Sequence, residues 1–132
     1  MTTLDATAPR HIRLVVIDDH TLFRRGITAL LSRVPGFEVV GEAADGFEGI
    51  KVVAAKKPDV VLLDLNMPGA VHGDAIIRPI SLYAPVIVIT ATIDLDVARR
   101  TLREGAMDFI SKPFDFERLR AIVEAAIAMG GR

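Results

Sequence analysis

Five polar residues in this chain follow closely on short apolar runs. Asp18 and Asp19 come directly after Ile12–Ile17, and Asp64 directly after Val60–Leu63. Thr90 closes the run that opens at Val86, and Lys112 stands just beyond Met107–Ile110. Three carboxylates meeting in a partly desolvated cleft repel one another strongly. A hard divalent cation such as Mg2+ removes that penalty, because it takes oxygen ligands and keeps several waters. An ammonium and a hydroxyl then complete a site suited to a phosphoryl group: Lys112 as a point charge for a phosphate oxygen, Thr90 as a hydrogen-bond donor. Taken singly, each residue has a plainer use. Asp18-Asp19 ahead of a helix can simply cap it, Asp64 can be an ordinary loop carboxylate, threonine is common in strands, and an isolated lysine is usually solvated. Their shared place at the ends of apolar runs is what points to chemistry.

The elements that must position these residues alternate regularly. Ile12–Ile17, Phe37–Ala43, Val60–Leu63, Val86–Thr90 and Met107–Ile110 read as strands, the central ones apolar almost throughout, as expected where both faces are buried. Between them run helical periods. Thr21–Arg33 has a stripe of Leu22, Phe23, Ile27, Leu30 and Leu31, and Gly46–Lys56 has Phe47, Ile50 and Val53. A helix over about Asp74–Tyr83 is interrupted by Pro79, and Leu95–Glu104 aligns Leu95, Ala98 and Leu102 before Gly105. The last helix starts near Asp115 and carries Phe116, Leu119, Ile122, Val123, Ala126 and Ile127. Pro35-Gly36 and Lys57-Pro58 mark boundaries. Five such units predict an α/β fold, an open parallel sheet with helices on both faces. In such sheets ligands bind beyond the carboxyl ends of the strands.

Composition narrows the function. The 132 residues fit one domain, and with 51% hydrophobic residues they can bury a sizeable core. Seventeen acidic against sixteen basic residues leave a net charge of −1, which argues against direct nucleic-acid binding. The absence of cysteine excludes disulfide and thiolate chemistry. The longest apolar runs are strand-sized, so no membrane span is expected. Met1–Pro9 lacks the apolar segment of a signal peptide, and a cytoplasmic location is the expectation. His20 and His72 have no partner at metal-ligand spacing and read as loop residues.

Val15-Val-Ile-Asp-Asp-His20, Leu62-Leu-Asp-Leu-Asn-Met-Pro-Gly69, Ile89-Thr-Ala91 and Phe109-Ile-Ser-Lys-Pro113 together resemble the response-regulator receiver family of two-component systems. Asp-Asp-His and Val-Val-Gly-Glu-Ala are similar to its NarL/FixJ group. The resemblance implies a flavodoxin-like, doubly wound five-stranded sheet of order 2-1-3-4-5 with five helices, as in CheY. It assigns residues 11–128 to the receiver, leaving 1–10 as an N-terminal extension and 129–132 as a tail or the start of a linker. It implies that Asp64 accepts phosphate from the phosphohistidine of a sensor histidine kinase. Asp18, Asp19, Asp64 and the backbone carbonyl of Asn66 would bind Mg2+, or Mn2+ in its place. Thr90 and Lys112 would contact the phosphoryl oxygens, Thr90 and Phe109 would form the switch, and the Lys112–Pro113 peptide would be cis. The output would be an effector domain or partner, transcription if a helix-turn-helix domain was removed. DNA would then be contacted only through that domain.

Two features depart from the family pattern: Gly69–His72 looks one residue too long, and Pro79 falls inside the third helix. A Mg2+-dependent phosphatase or phosphotransferase working through an aspartyl-phosphate would use similar residues. Against it stand the acidic pair on the first strand and a chain too short for an inserted cap. A flavodoxin-like FMN carrier would need a Ser/Thr/Gly-rich first loop, where this chain has Asp-Asp-His. Arg99, Arg100 and Arg103 on one helix and Asp115, Glu117 and Glu124 on the last suggest a homodimer on phosphorylation, paired across a two-fold axis.

Overall fold

The computed structural model describes residues 11–65, 73–91 and 94–129. Strands β1 (Ile12–Ile17), β2 (Phe37–Ala43), β3 (Val60–Asp64), β4 (Val86–Thr90) and β5 (Asp108–Ser111) alternate with helices α1 (Thr21–Leu31), α2 (Gly46–Lys56), α3 (Gly73–Ser81), α4 (Leu95–Arg103) and α5 (Phe116–Met129). All strand pairs are parallel, as the alternating pattern predicts, and the order is β2-β1-β3-β4-β5, as the family resemblance implies. The register sets Ile17 beside Leu63, Asp64 beside Ile89 and Thr90 beside Ser111, so the ends of β1, β3, β4 and β5 lie along one edge.

Every residue of β3 and β4 is buried, because helices cover both faces. Leu14, Val16, Leu62, Ile87 and Ile89 pack beneath α1 and α5. Their strand neighbours Val15, Ile17, Leu63 and Val88 pack beneath α2 and α3. On α5 the expected stripe is buried at Leu119, Ile122, Val123, Ala126 and Ile127, and partly so at Phe116.

Three other stripes are narrower than their sequence patterns suggest. On α1 only Ile27 and Leu31 are buried, with Phe23 partly so, while Leu22 is 88% exposed and Leu30 also faces out. Adjacent helical residues point about 100° apart, so Leu22 and Phe23 cannot both face the sheet. Phe47 of α2 is likewise exposed. On α4 the apolar Leu95 and Leu102 turn outward and the buried residue is Thr101, whose hydroxyl donates to the Ala98 carbonyl at 3.1 Å. Pro79 sits within the last turn of α3, which ends at Ser81 rather than Tyr83; Ile76, Ile77 and Ile80 are nevertheless buried. The Gly69–His72 insertion lies outside the described residues.

Local signals close the helices. Asp45 accepts the Glu48 N–H at 2.8 Å while the Glu48 carboxylate accepts the Ala44 N–H at 3.0 Å, which together start α2. Arg13 on β1 donates to the carbonyls of Lys56 and Lys57 at 2.7 and 2.8 Å, satisfying the carboxyl end of α2 where Lys57 turns left-handed. Gly105, at φ 115°, ends α4: its N–H reaches the Leu102 carbonyl and the Ala106 N–H reaches that of Thr101.

Gly49 lets α2 approach β1, since a Cβ there would lie 2.7 Å from Ile17 Cδ1. Helix propensity alone favours alanine over glycine by about 1 kcal/mol, whereas overpacking a filled core costs about 1–3 kcal/mol. Gly49→Ala is therefore expected to lower the urea midpoint at unchanged m-value, a net loss of up to about 2 kcal/mol. A raised midpoint would show that Ile17 gives way freely.

Candidate functional site

The strand ends deliver side chains of opposite charge into one small volume. Asp18 and Asp64 are each only 2% exposed, and Thr90 is 1% exposed. Lys112 reaches back across this edge, its Nζ 3.3 Å from Asp64 Oδ2 and 3.8 Å from Asp18 Oδ2. Backbone bonds fix the frame: the Asp18 N–H donates to the Ala43 carbonyl, Leu65 to Ile89 and Lys112 to Thr90. The Lys112–Pro113 peptide is cis.

Asp18 and Asp19 do not cap α1. The residue at that position is His20, whose side chain makes no capping bond, and the Asp18 carboxylate instead accepts the His20 N–H at 2.8 Å. Arg24, one turn into α1, donates to the Asp18 carbonyl at 2.6 Å and to Glu42 at 3.0 Å, tying the end of β1 to β2. The sequence offered no signal for this brace beyond a basic residue one turn inside the helix. His20 also needs correction. Its imidazole belongs with Asp18, Asp19 and Asp64 in a group whose ligand atoms all lie within 4.8 Å of one another.

That group fits a divalent cation. Asp19 Oδ1 is buried without a hydrogen-bond partner in the structure, an arrangement that costs free energy unless something else coordinates the oxygen. Burial first and the neighbouring Asp64 charge second push the Asp18 carboxyl up from an ordinary 3.8 to about 6, against the His20 hydrogen bond and Lys112. A hard cation bound among these oxygens reverses that penalty. The proposed ligand Asn66 lies outside the described residues. Phe109 is half-buried against the α2–α3 side of the core, and the register pairs it with Val88, two residues before Thr90 on the same face of β4.

A doubly wound sheet with buried acids and a lysine at its carboxyl edge defines a class, and comparison with known proteins agrees. Residues 14–124 match the family model described as response regulator receiver domain. The chain belongs to that family. It is 36% identical over 128 residues to the transcriptional regulatory protein PdtaR of Mycobacterium tuberculosis, covering 96% of this chain and 61% of that protein. It is 45% identical over 106 residues to protein-glutamate methylesterase/protein-glutamine glutaminase 3 of Geobacter sulfurreducens, covering 79% of this chain and 28% of that protein. The chain thus spans between about a quarter and three-fifths of the length of these curated relatives. Among solved structures, the receiver domain of a putative NarL from M. tuberculosis superposes with a TM-score of 0.81 at 35% identity over 89% of this chain and 98% of that one. A LuxR-family response regulator from Aurantimonas gives 0.83 at 32% identity over 89% and 85%. Receiver domains are signalling switches, and the free-standing phosphatase reading finds no support in these matches. No helix among the described residues is long and apolar enough to cross a membrane.

Asp18 carries a pH dependence with a definite sign. The fold holds the Asp18 proton more tightly than the unfolded chain does, so the contribution to stability is complete below about pH 3.8 and lost as pH rises through about 6. The gap corresponds to roughly 3 kcal/mol at most. Without divalent cations, the Asp18→Asn variant is expected to gain stability over the parent progressively between pH 4 and pH 7, as read by urea unfolding. A constant difference across that range would contradict the assignment.

Proposed function

We propose that Asp64 is the phosphoacceptor of this receiver, taking a phosphoryl group from the phosphohistidine of a sensor histidine kinase. The observation that carries this reading is the Lys112 ammonium 3.3 Å from Asp64 Oδ2, at the carboxyl end of a fully buried central strand. The Asp64 carboxylate attacks phosphorus in line. A new O–P bond forms as the P–N bond to the donor imidazole breaks, and the electron pair leaves with that nitrogen. Lys112 offers its N–H groups to the equatorial oxygens, where charge resides in the transition state. Asp18, Asp19 and Asp64 would hold Mg2+, or Mn2+, which supplies charge neutralisation at the phosphoryl oxygens when bound. Asn66 would add its carbonyl. Thr90 donates its hydroxyl to the acyl phosphate, and Phe109, on the same sheet face, moves into the space that Thr90 leaves.

The kinase docks on the apolar groove beside the acceptor, a cavity of about 600 Å3 lined by Leu22, Ile27, Leu30, Pro113 and Phe114. Its walls are α1 and Pro113-Phe114, the segments that directly follow Asp18-Asp19 and Lys112 in the chain, so a partner seated there brings its imidazole to the cleft. A second copy of the chain is a further partner after phosphorylation, through exposed Arg99 and Arg103 of α4. Its acidic counterparts are partly engaged: Asp115 accepts the Arg118 N–H at 2.8 Å, and Arg120 lies 3.8 Å from Glu117 and 3.5 Å from Glu124. Exposed pairs contribute only about 0–1 kcal/mol each, so a dimer on this face needs several. The protein acts in the cytoplasm, where a kinase can supply the phosphoryl group, and its output passes to an effector domain or partner.

Incubation with acetyl phosphate and Mg2+ is expected to add one phosphate by intact mass. The addition should disappear in Asp64→Asn and when the metal is chelated. Equal labelling of Asp64→Asn would assign the acceptor elsewhere.

A further inference from the structure

Lys112 is held from two sides. Its carboxylate contacts are joined by an aromatic one, for Nζ lies 4.1 Å from the centroid of the Phe23 ring. That ring belongs to α1 and is fixed in turn by Phe114, which meets it edge-on at a centroid distance of 6.2 Å and an interplanar angle of 84°. The Lys112 side chain is 19% exposed, sandwiched between the Phe23 face and the acidic cluster.

We infer that Phe23 is a positioning residue, holding the Lys112 ammonium in the cleft by a cation–π contact when a metal ion takes over the carboxylates. This rests on the receiver reading above and deepens it. Lysine is a flexible four-carbon stem with a strongly hydrated head, and nothing in its covalent structure keeps it over the cleft. The present anchors are Asp64 and Asp18, the two carboxylates whose oxygens a divalent cation would claim. Once they turn to a cation, their hold on Lys112 weakens and the positive ion repels the ammonium. The Phe23 face competes for no metal ligand, and its attraction to the cation survives that exchange. It also accepts no conventional hydrogen bond, which leaves the ammonium donors available to a phosphoryl oxygen. A carboxylate at position 23 would instead neutralise Lys112.

The test compares Phe23→Leu and Phe23→Met, which keep apolar volume without a π face, with Phe23→Tyr, which keeps the ring. Two readouts are taken at saturating Mg2+: the proton shift of the Lys112 Cε methylene by NMR with labelled lysine, and the rate of Asp64 labelling by acetyl phosphate. In the parent the methylene is expected upfield from the ring current. In the Leu and Met variants that shift collapses and labelling slows about three- to tenfold, with the Mg2+ midpoint unchanged. Phe23→Tyr restores both. Parent-like labelling in Leu and Met, or a Tyr variant as slow as they are, overturns the positioning role and leaves Phe23 as packing. A parent that takes no phosphate on Asp64 overturns the phosphoacceptor reading itself. The methylene shift separates the two, because it reports the Phe23–Lys112 contact in unphosphorylated protein.

Discussion

The mutual repulsion of carboxylates crowded at one sheet edge is the constraint to which the rest of the structure answers. Asp18 and Asp64 are almost fully buried, where like charges interact far more strongly than in water. Within the chain the compensation comes from the Lys112 ammonium and the His20 N–H on the Asp18 carboxylate, while burial pushes the Asp18 carboxyl up to about 6. None of these reaches Asp19 Oδ1, which stays buried and unpaired in the structure. A fold that accepts this cost is biased towards anything that brings positive charge to the edge. In the proposed reading, metal binding and phosphoryl transfer would draw on the same electrostatic imbalance.

Holding such an edge together requires rigid strands beneath it. β3 and β4 are buried along their whole length and pinned on both sides by parallel partners, so Asp64 and Thr90 inherit fixed positions from the sheet. The helices are less uniform. α5 buries most of its apolar stripe, while α4 buries only Thr101 and leaves Leu95 and Leu102 outside. An element with so few buried apolar contacts is the easier one to move, and it follows β4, whose last residue is Thr90. A small displacement of Thr90 thus lies next to the helix least committed to the core.

The parallel strands and the strand-end position of the site residues were legible in the sequence, because a buried parallel strand is a nearly continuous apolar run and its end is where polarity returns; the strand order came only with the family resemblance. Asp18, Asp64, Thr90 and Lys112 all carry that signature. Helix faces were less legible. Apolar residues at helical spacing on α1 and α4 mark a side of the helix without saying how far it turns towards the sheet, so Leu22, Leu30, Leu95 and Leu102 read as core and lie outside it. Contacts made by long side chains across elements left no trace in spacing at all. Arg24 reaching the Asp18 carbonyl, Arg13 closing α2, and Phe23 facing Lys112 depend on the angle at which α1 and α2 cross the sheet. His20 was misread for the same reason: its place in the acidic group follows from the turn between β1 and α1 and not from any ligand spacing.

In the proposed reading the strand-end carboxylates form an acceptor that depends on a cation. Fluorine NMR of the protein with beryllofluoride, a phosphoryl mimic, tests it most directly. Protein-bound fluorine resonances should appear in the parent only when Mg2+ is present, and should be absent from Asp64→Asn at any metal concentration. Bound resonances in the chelated parent, or in Asp64→Asn with Mg2+, would contradict the account.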